Sequence, residues 1–325
     1  MNTFKRIKTG ILASGLALLA HNAVADEIKL AHVGNPGSLY DVSANHFAEV
    51  VNARLPEGWS VETYGASQLG DDQELLQKLR LGTVDLALPS SVMSSVDERF
   101  GVFELPYITK SRAHVDALRE TVLPEILVPA ASDKGYEVLS MWESGYRHMT
   151  NSKRPIASPE DLVGIKIRMS KSPWRVAAFE SYGANPTPMA FSEVFVALQT
   201  GVVDGQENPI SIIYATRFNE VQKYLSLSGH IYAPVYLVAG SSLGKFPEEV
   251  QTILREGAEE TLAWNLAKSQ ELEAEQLKLL QDAGMEVNEV DTTGFVEATR
   301  AVQNAFAENV EGGRVLIDAV RAAAP

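Results

Sequence analysis

Hydrophobic and polar positions change their period repeatedly along the 325-residue chain. Residues 27–33 read as a strand and run into the loop Gly34-Asn35-Pro36-Gly37-Ser38. Val42, Phe47, Val50 and Val51 then recur at helical spacing, and residues 59–64 return to a strand pattern. Asp71, with Glu74 three residues on, forms a capping box ahead of the apolar face Leu75, Leu76 and Leu79. Residues 84–88 read as a third strand, ending in Pro89-Ser90-Ser91. Strands alternating with helices predict a parallel α/β architecture.

The alternation continues. Residues 113–132 read as a helix and 137–142 as a strand, followed by Gly145-Tyr146-Arg147, where the chain is expected to cross into a second lobe. Ser158-Pro159 opens a one-turn helix that Gly164 ends. Ile165, Ile167 and Met169 alternate with Lys166 and Arg168, so Arg168 sits at the end of an apolar strand. Ser192 reads as an N-cap, with Glu193 at the positive end of the dipole and Phe191 stapled onto Val196. Gly201 ends that helix, Val202-Val203 starts a short strand, and Asp204-Gly205 is a turn signal. Pro209 pushes Asn208 towards an extended conformation. Residues 230–238 form an apolar strand expected to cross back. Residues 247–283 carry one helical pattern, about 55 Å long at the α-helical rise, which exceeds the width of a small lobe. Its spacing is not the strict heptad of a coiled coil. Residues 293–322 read as helical.

A short repeat runs across this pattern. Leu79-x-x-Gly82-x-Val84-Asp85 recurs as Leu198-x-x-Gly201-x-Val203-Asp204, a helix end feeding a short strand in each case. The strands end in small or polar residues, Ser90-Ser91 and Gln206-Glu207-Asn208. Two copies suggest two similar lobes that offer strand ends to a common crevice, where open α/β sheets bind ligands. Coincidence between short, common residues is the competing reading.

Composition narrows the setting. Lys5, Arg6 and Lys8, the apolar run 11–20 and Ala23-Val24-Ala25 make residues 1–25 read as a secretory signal, too short in its apolar part to span a bilayer. Removing it deletes three of the 28 basic residues and none of the 42 acidic ones, moving the net charge from −14 to −17. That balance argues against nucleic acid or anionic membranes as partners, and an anionic ligand would need a local basic site. With no cysteine, disulfides, thiol catalysis and thiolate zinc sites are excluded. Export without disulfides fits a bacterial periplasm.

Catalytic motifs are thin. The six histidines show no metal-ligand spacing, no G-x-S-x-G elbow occurs, and no glycine loop suits a phosphate. Asp71-Asp72 is better explained as a capped helix start than as an acid–base pair.

The run PTPMAFSEVFVALQTGVVDGQENP (residues 186–209), together with SQLGDDQELLQKL, FELPYI, TNSKRPI and SGHIYAP, resembles the solute-binding proteins of TRAP transporters (tripartite, ATP-independent periplasmic). The resemblance extends from about residue 28 to about residue 280. It implies a two-lobed α/β periplasmic binding fold with a ligand cleft between the lobes and a long helix spanning both. The expected division is 26–144 for lobe I, with about 234–270 returning to it, and 145–233 for lobe II, completed by about 271–325. It also implies that Arg168 clamps a ligand carboxylate, that Arg147 is a second ligand arginine, and that Asn208 hydrogen-bonds the carboxylate. Arginine suits the first role because its planar fork can engage a carboxylate at two points. The bland readings are a solvent-facing strand arginine, an interlobe salt bridge, and turn chemistry before Pro209.

Ser90 aligns with a contact position that varies in the family, where sialic-acid binders carry an acidic residue. Phe191, Ser172, Trp174 and Tyr40 complete the candidates, with Trp174 either stacking on a ring or filling the core. The expectation is a monomeric, cofactor-free binding protein that is not an enzyme and delivers a small carboxylate to a TRAP permease. A hydroxylated ring with one acid, such as a hexuronate, would use the arginine, polar and aromatic sets together. A C4-dicarboxylate, an aromatic acid, a ligand-sensing role and a secreted enzyme are the alternatives.

Overall fold

The computed structural model describes residues 26–325, so the signal-peptide reading of residues 1–25 lies outside the described residues. The described strands are β1 (Asp26–Ala31), β2 (Trp59–Tyr64), β3 (Leu86–Ala87), β4 (Glu137–Asn151), β5 (Lys166–Met169), β6 (Asn185–Pro188), β7 (Gly205–Pro209), β8 (Tyr224–Ala239) and β9 (Glu286–Glu289). They form one sheet in the order β2-β1-β3-β8-β4-β7-β5-β6, with β9 added to β8. β1 pairs in parallel with β2 and β3 at one end, and β5 with β6 and β7 at the other. The antiparallel pair β4–β8 joins these two halves.

That pair does the spanning. β4 and β8 are 15 and 16 residues long, about 50 Å each at the extended rise, and their register slips between Val138 and Ser140, Glu143 and Gly145, and Arg147 and Met149. Such irregularities bend and twist a ribbon, so the two halves face each other across it. The sequence pattern marks only the apolar stretch of each strand. Glu143, Ser144, Arg147 and His148 break the pattern of β4 yet are all buried.

The helices are α1 (Leu39–Asn52), α2 (Asp72–Leu81), α3 (Arg112–Glu120), α4 (Val128–Ser132), α5 (Pro173–Ser181), α6 (Val194–Gln199), α7 (Ile210–Ala215), α8 (Glu248–Asp282), α9 (Thr292–Asn309) and α10 (Gly313–Ala322). α8 is the long element, started by Pro247 with Glu248 and Glu249 in its first turn. Its N-terminal part packs Val250, Leu254 and Ala258 with Phe47 and Trp142, while Leu280 joins Val194 and Phe218 in the other half. Between them the buried face turns polar. Asn265 accepts from the Glu143 amide at 2.7 Å and donates to the Glu143 carbonyl at 3.1 Å, satisfying the backbone that the β4 irregularity leaves unpaired.

The repeat is structural. Gly82 and Gly201 end their helices at φ +69° and +72°. Asp85 accepts from the Lys29 amide of β1 at 2.9 Å, and Asp204 accepts from the Lys166 amide of β5 at 2.9 Å. The motif therefore ties each helix end to the neighbouring parallel strand.

Several local readings differ. Asp204-Gly205 is not a turn: Gly205 lies in β7, where a Cβ would sit 2.3 Å from the Thr150 carbonyl. Ser192 does not cap α6, because the turn begins earlier and Glu193 accepts from the Ala190 amide at 3.0 Å. The stretch 113–132 is broken after Glu120, with a wide turn over Leu123–Leu127 and prolines at 124 and 129. Residues 271–325 do not lie wholly with the second half. Phe295 packs there with Phe179, but Phe306, Leu316, Ile317 and Val320 join Phe100 and Val115 of the first, and His114 Nε2 meets the Val320 carbonyl at 2.7 Å.

Candidate ligand-binding cleft

A cavity opens where the strand ends of the two halves meet. The first half contributes Tyr40 from α1, Asp72 from the start of α2, and Ser90 and Ser91 after β3. The second contributes Arg168 and Ser170 from the β5 end, Arg175 from α5, Phe191, and Asn208 from β7. Ser144 and Arg147 enter from β4 between them. The rims already touch: Ser91 Oγ donates to Ser170 Oγ at 2.8 Å, and Lys171 Nζ donates to Gln73 Oε1 at 3.4 Å.

The floor is an ionic network. Glu207 is fully buried and receives Arg147 Nη2 at 2.9 Å and Arg175 Nη1 at 3.1 Å. Arg147 also donates to Asn208 Oδ1 at 2.9 Å, and Arg175 pairs with Glu104. His230 completes the group, its Nε2 3.3 Å from Glu207 Oε2 and its Nδ1 2.7 Å from Ser228 Oγ. Burial alone would push the Glu207 carboxyl up, but Arg147, Arg175 and His230 hold it well below the usual carboxylate range. Burial lowers His230, so its ring is neutral beside Glu207. Glu104, buried behind the network, is pushed up by burial, with Arg175 and Arg147 opposing.

Arg168 is different. It is 3% exposed, yet it has no carboxylate partner among the described residues. Nη2 donates to the Met189 carbonyl at 2.8 Å, the guanidinium carbon stands 5.7 Å from the Phe191 ring centre, and buried Nε has no acceptor. Burial pushes this guanidinium down to about 9, Arg147 and Arg175 adding repulsion while Glu207 and Asp72 oppose it. It still carries its charge at neutral pH. A buried cation with an unfilled donor is costly, and an anion entering the cavity would relieve it.

Six of the eight candidate residues line the cavity: Arg168, Arg147, Asn208, Ser90, Phe191 and Tyr40. Phe191 is not stapled to Val196, which is 59% exposed; its ring turns inward towards Phe218 and Arg168. Ser172 and Trp174 do not reach the cavity. Ser172 caps α5 by accepting from the Arg175 amide at 3.4 Å. Trp174 packs on Phe306 at 5.0 Å and against Gly101, where a Cβ would lie 2.5 Å from the indole, so it fills core. Arg175 and Asp72 also line the cavity without a sequence signal that singles them out. Arg175 sits one turn inside a helix with nothing local to mark it, and the capped helix start accounts for Asp72 equally well.

The geometry thus has a charged floor, an unpaired cation, hydroxyls on the opposite rim and one aromatic wall. Residues 30–309 match the family described as bacterial extracellular solute-binding protein, family 7. The chain belongs to this TRAP-type family. Its members are binding proteins for transport, not enzymes, and the family is periplasmic. A TRAP solute-binding protein from a Polaromonas species with bound D-erythronate is 31% identical, with a TM-score of 0.87, covering 91% of this chain and 98% of its own. One from Sulfurospirillum deleyianum with bound succinate matches with the same values, 31%, 0.87, 91% and 98%. One from a Sulfitobacter species with bound β-D-galacturonate is 29% identical, with a TM-score of 0.87 and coverage of 91% and 99%. The two-lobed α/β fold of this TRAP-type protein is the fold of these structures.

Proposed function

We propose that this TRAP-type protein is a periplasmic carrier of a sugar acid, and that Arg168 receives the ligand carboxylate. The observation that carries the reading is Arg168 itself, a buried guanidinium with an orphaned Nε in the cleft. Arg147 and Arg175 are already matched by Glu207 and Glu104, so they shape and polarise the floor while Arg168 remains free to pair. Tyr40, Ser90, Ser91, Ser144, Ser170 and Asn208 offer partners for hydroxyls, and Phe191 offers a ring face. An aromatic acid would leave most of those polar groups unpaired. Sugar acids in two of the compared structures support this class, and succinate in a third makes a C4-dicarboxylate the second reading.

In this reading residues 1–25 direct export, the protein acts as a monomer, and its partner is a TRAP permease driven by an ion gradient. The lobes are the two halves of the sheet, hinged at β4, β8 and α8, and they close over the ligand. Closure removes water from the Arg168–carboxylate pair and strengthens it. Calorimetry with galacturonate, erythronate, succinate and benzoate tests the assignment. The sugar acids should bind most tightly, and near-unchanged affinity in Arg168→Ala would end the clamp role.

A further inference from the structure

Asp72 has no task in the network above. It follows the N-cap Asp71 as the first residue of α2, where the capping contacts are made by Asp71 and Glu74, and its own carboxylate has no hydrogen bond or ion pair among the described residues. It lines the cleft cavity and also an adjoining one, and Arg168, Ser170 and Phe191 line both. Asp72 comes from the first half and Arg168 from the second, so the two groups face one space from opposite sides. The cavity and its floor hold three guanidinium groups, of which Glu207 and Glu104 match two. Asp72 confronts the third.

We propose that Asp72 sets the charge class of the ligand, favouring acids with one carboxylate and several hydroxyls over dicarboxylates. The inference rests on the reading that Arg168 takes the ligand carboxylate. With that position filled, the next group on the ligand meets Asp72. A hydroxyl can donate to it, forming a charge-assisted hydrogen bond, whereas a second carboxylate has no proton to give and repels it. The groups around Asp72 do not cancel its charge. Arg168 is the facing cation, taken by the ligand carboxylate in this reading, while Arg147 and Arg175 are matched by Glu207 and Glu104. Asp71 adds repulsion, Lys171 is engaged with Asp71 at 3.9 Å and with Gln73, and Tyr40, Ser90, Ser91 and Ser170 are neutral. Burial, with help from Asp71 and against Arg168, pushes the Asp72 carboxyl up to about 7. A dicarboxylate can therefore enter together with a proton on Asp72, and its binding should tighten as pH falls through that value.

Titration calorimetry with galacturonate and succinate on the full mature chain tests this, using the wild type, Asp72→Asn and Arg168→Ala. Asp72→Asn should weaken galacturonate about tenfold and tighten succinate about tenfold, narrowing or inverting the preference. In the wild type, succinate should bind more tightly at about pH 6.5 than at about pH 8, with uptake of about one proton, and Asp72→Asn should abolish that dependence. The pH dependence needs no variant, so misfolding cannot mimic it. Unchanged succinate affinity in Asp72→Asn, or pH-independent succinate binding, overturns the role of Asp72. If Arg168→Ala binds both ligands normally, or neither binds the wild type, the clamp reading fails instead, and this one with it.

Discussion

Where β3 ends, the chain offers Ser90 and Ser91; where β7 ends, it offers Glu207 and Asn208. Both strands are entered through the same motif, with a left-handed glycine and an aspartate bonded at 2.9 Å to a lysine amide on the neighbouring strand. The backbone roles are equal and the chemistry is not. Ser90 spends its proton on the Pro234 carbonyl at 2.6 Å and keeps a neutral oxygen towards the cavity. Glu207 is buried among Arg147, Arg175 and His230 and pairs with two of the three guanidinium groups at the cavity. The first half supplies an adaptable rim and the second a fixed electrostatic floor. Ligand specificity can then change by substitution on the rim without unfolding the floor.

The sharpest way to break this contrast is Glu207→Gln. It keeps the shape but strands Arg147 without a carboxylate and leaves Arg175 with Glu104 alone. It should cost about 3–5 kcal/mol in urea unfolding, against about 1 kcal/mol for Ser90→Ala. Similar costs for the two variants would mean that the floor is no more load-carrying than the rim. Arg168 tests the functional side of the same contrast. Arg168→Ala should lower ligand affinity about 100-fold or more, and Arg168→Lys at least about tenfold, because a planar fork becomes a point charge. Neither should destabilise the ligand-free protein, since an unpaired buried cation contributes no stability. Calorimetry and thermal melting of the same samples separate the two effects.

Much of this division was legible in the residues. The capping box at Asp71, the αL glycines, the 35-residue α8 and the strand placing Arg168 follow from local rules and are present. What failed depended on long-range contact. Asp204-Gly205 carries a turn signal, but glycine is there because the Thr150 backbone passes too close for a side chain. The long strands are legible only in their apolar stretches, 137–142 and 230–238, since buried charge has no periodic signature. For the same reason Arg175 was invisible while Arg168, read from a family resemblance, was not. The sequence around Trp174 suits either wall or core, and only the packing of Phe306 and Gly101 decides for core.

Glycine substitutions sharpen the backbone half of the comparison. Gly205→Ala presses a Cβ onto a carbonyl oxygen at 2.3 Å and should cost about 1–3 kcal/mol, with β7 and therefore Glu207 displaced. Gly201→Ala meets open space and Gly82→Ala only the movable Ser241 Oγ at 3.2 Å; each forces alanine into a left-handed conformation, at about 1 kcal/mol. Equal penalties for Gly82 and Gly201 in chemical denaturation would support the equivalence of the two motifs. A difference above about 1 kcal/mol would show that one copy tolerates a shifted helix end.

The smallest effect belongs to Asp72, and its sign is the informative part. Its carboxyl is raised from 3.8 to about 7, so ionisation is harder in the folded protein than in the unfolded chain. Stability contributed by the protonated group is fully present below about pH 4 and is lost as pH rises through about 7. Asparagine at this position never ionises and escapes that loss. Ligand-free Asp72→Asn should therefore be more stable than the wild type at about pH 8, by only about 0.5–1 kcal/mol because the side chain is half-buried and solvent screens it. The difference should fade towards about pH 4, where both side chains are neutral. Urea melts at the two pH values measure it directly. A variant less stable than the wild type at about pH 8 would mean that the Asp72 charge is stabilised by Arg168 or the start of α2 more than burial penalises it. The rim would then be as electrostatically settled as the floor.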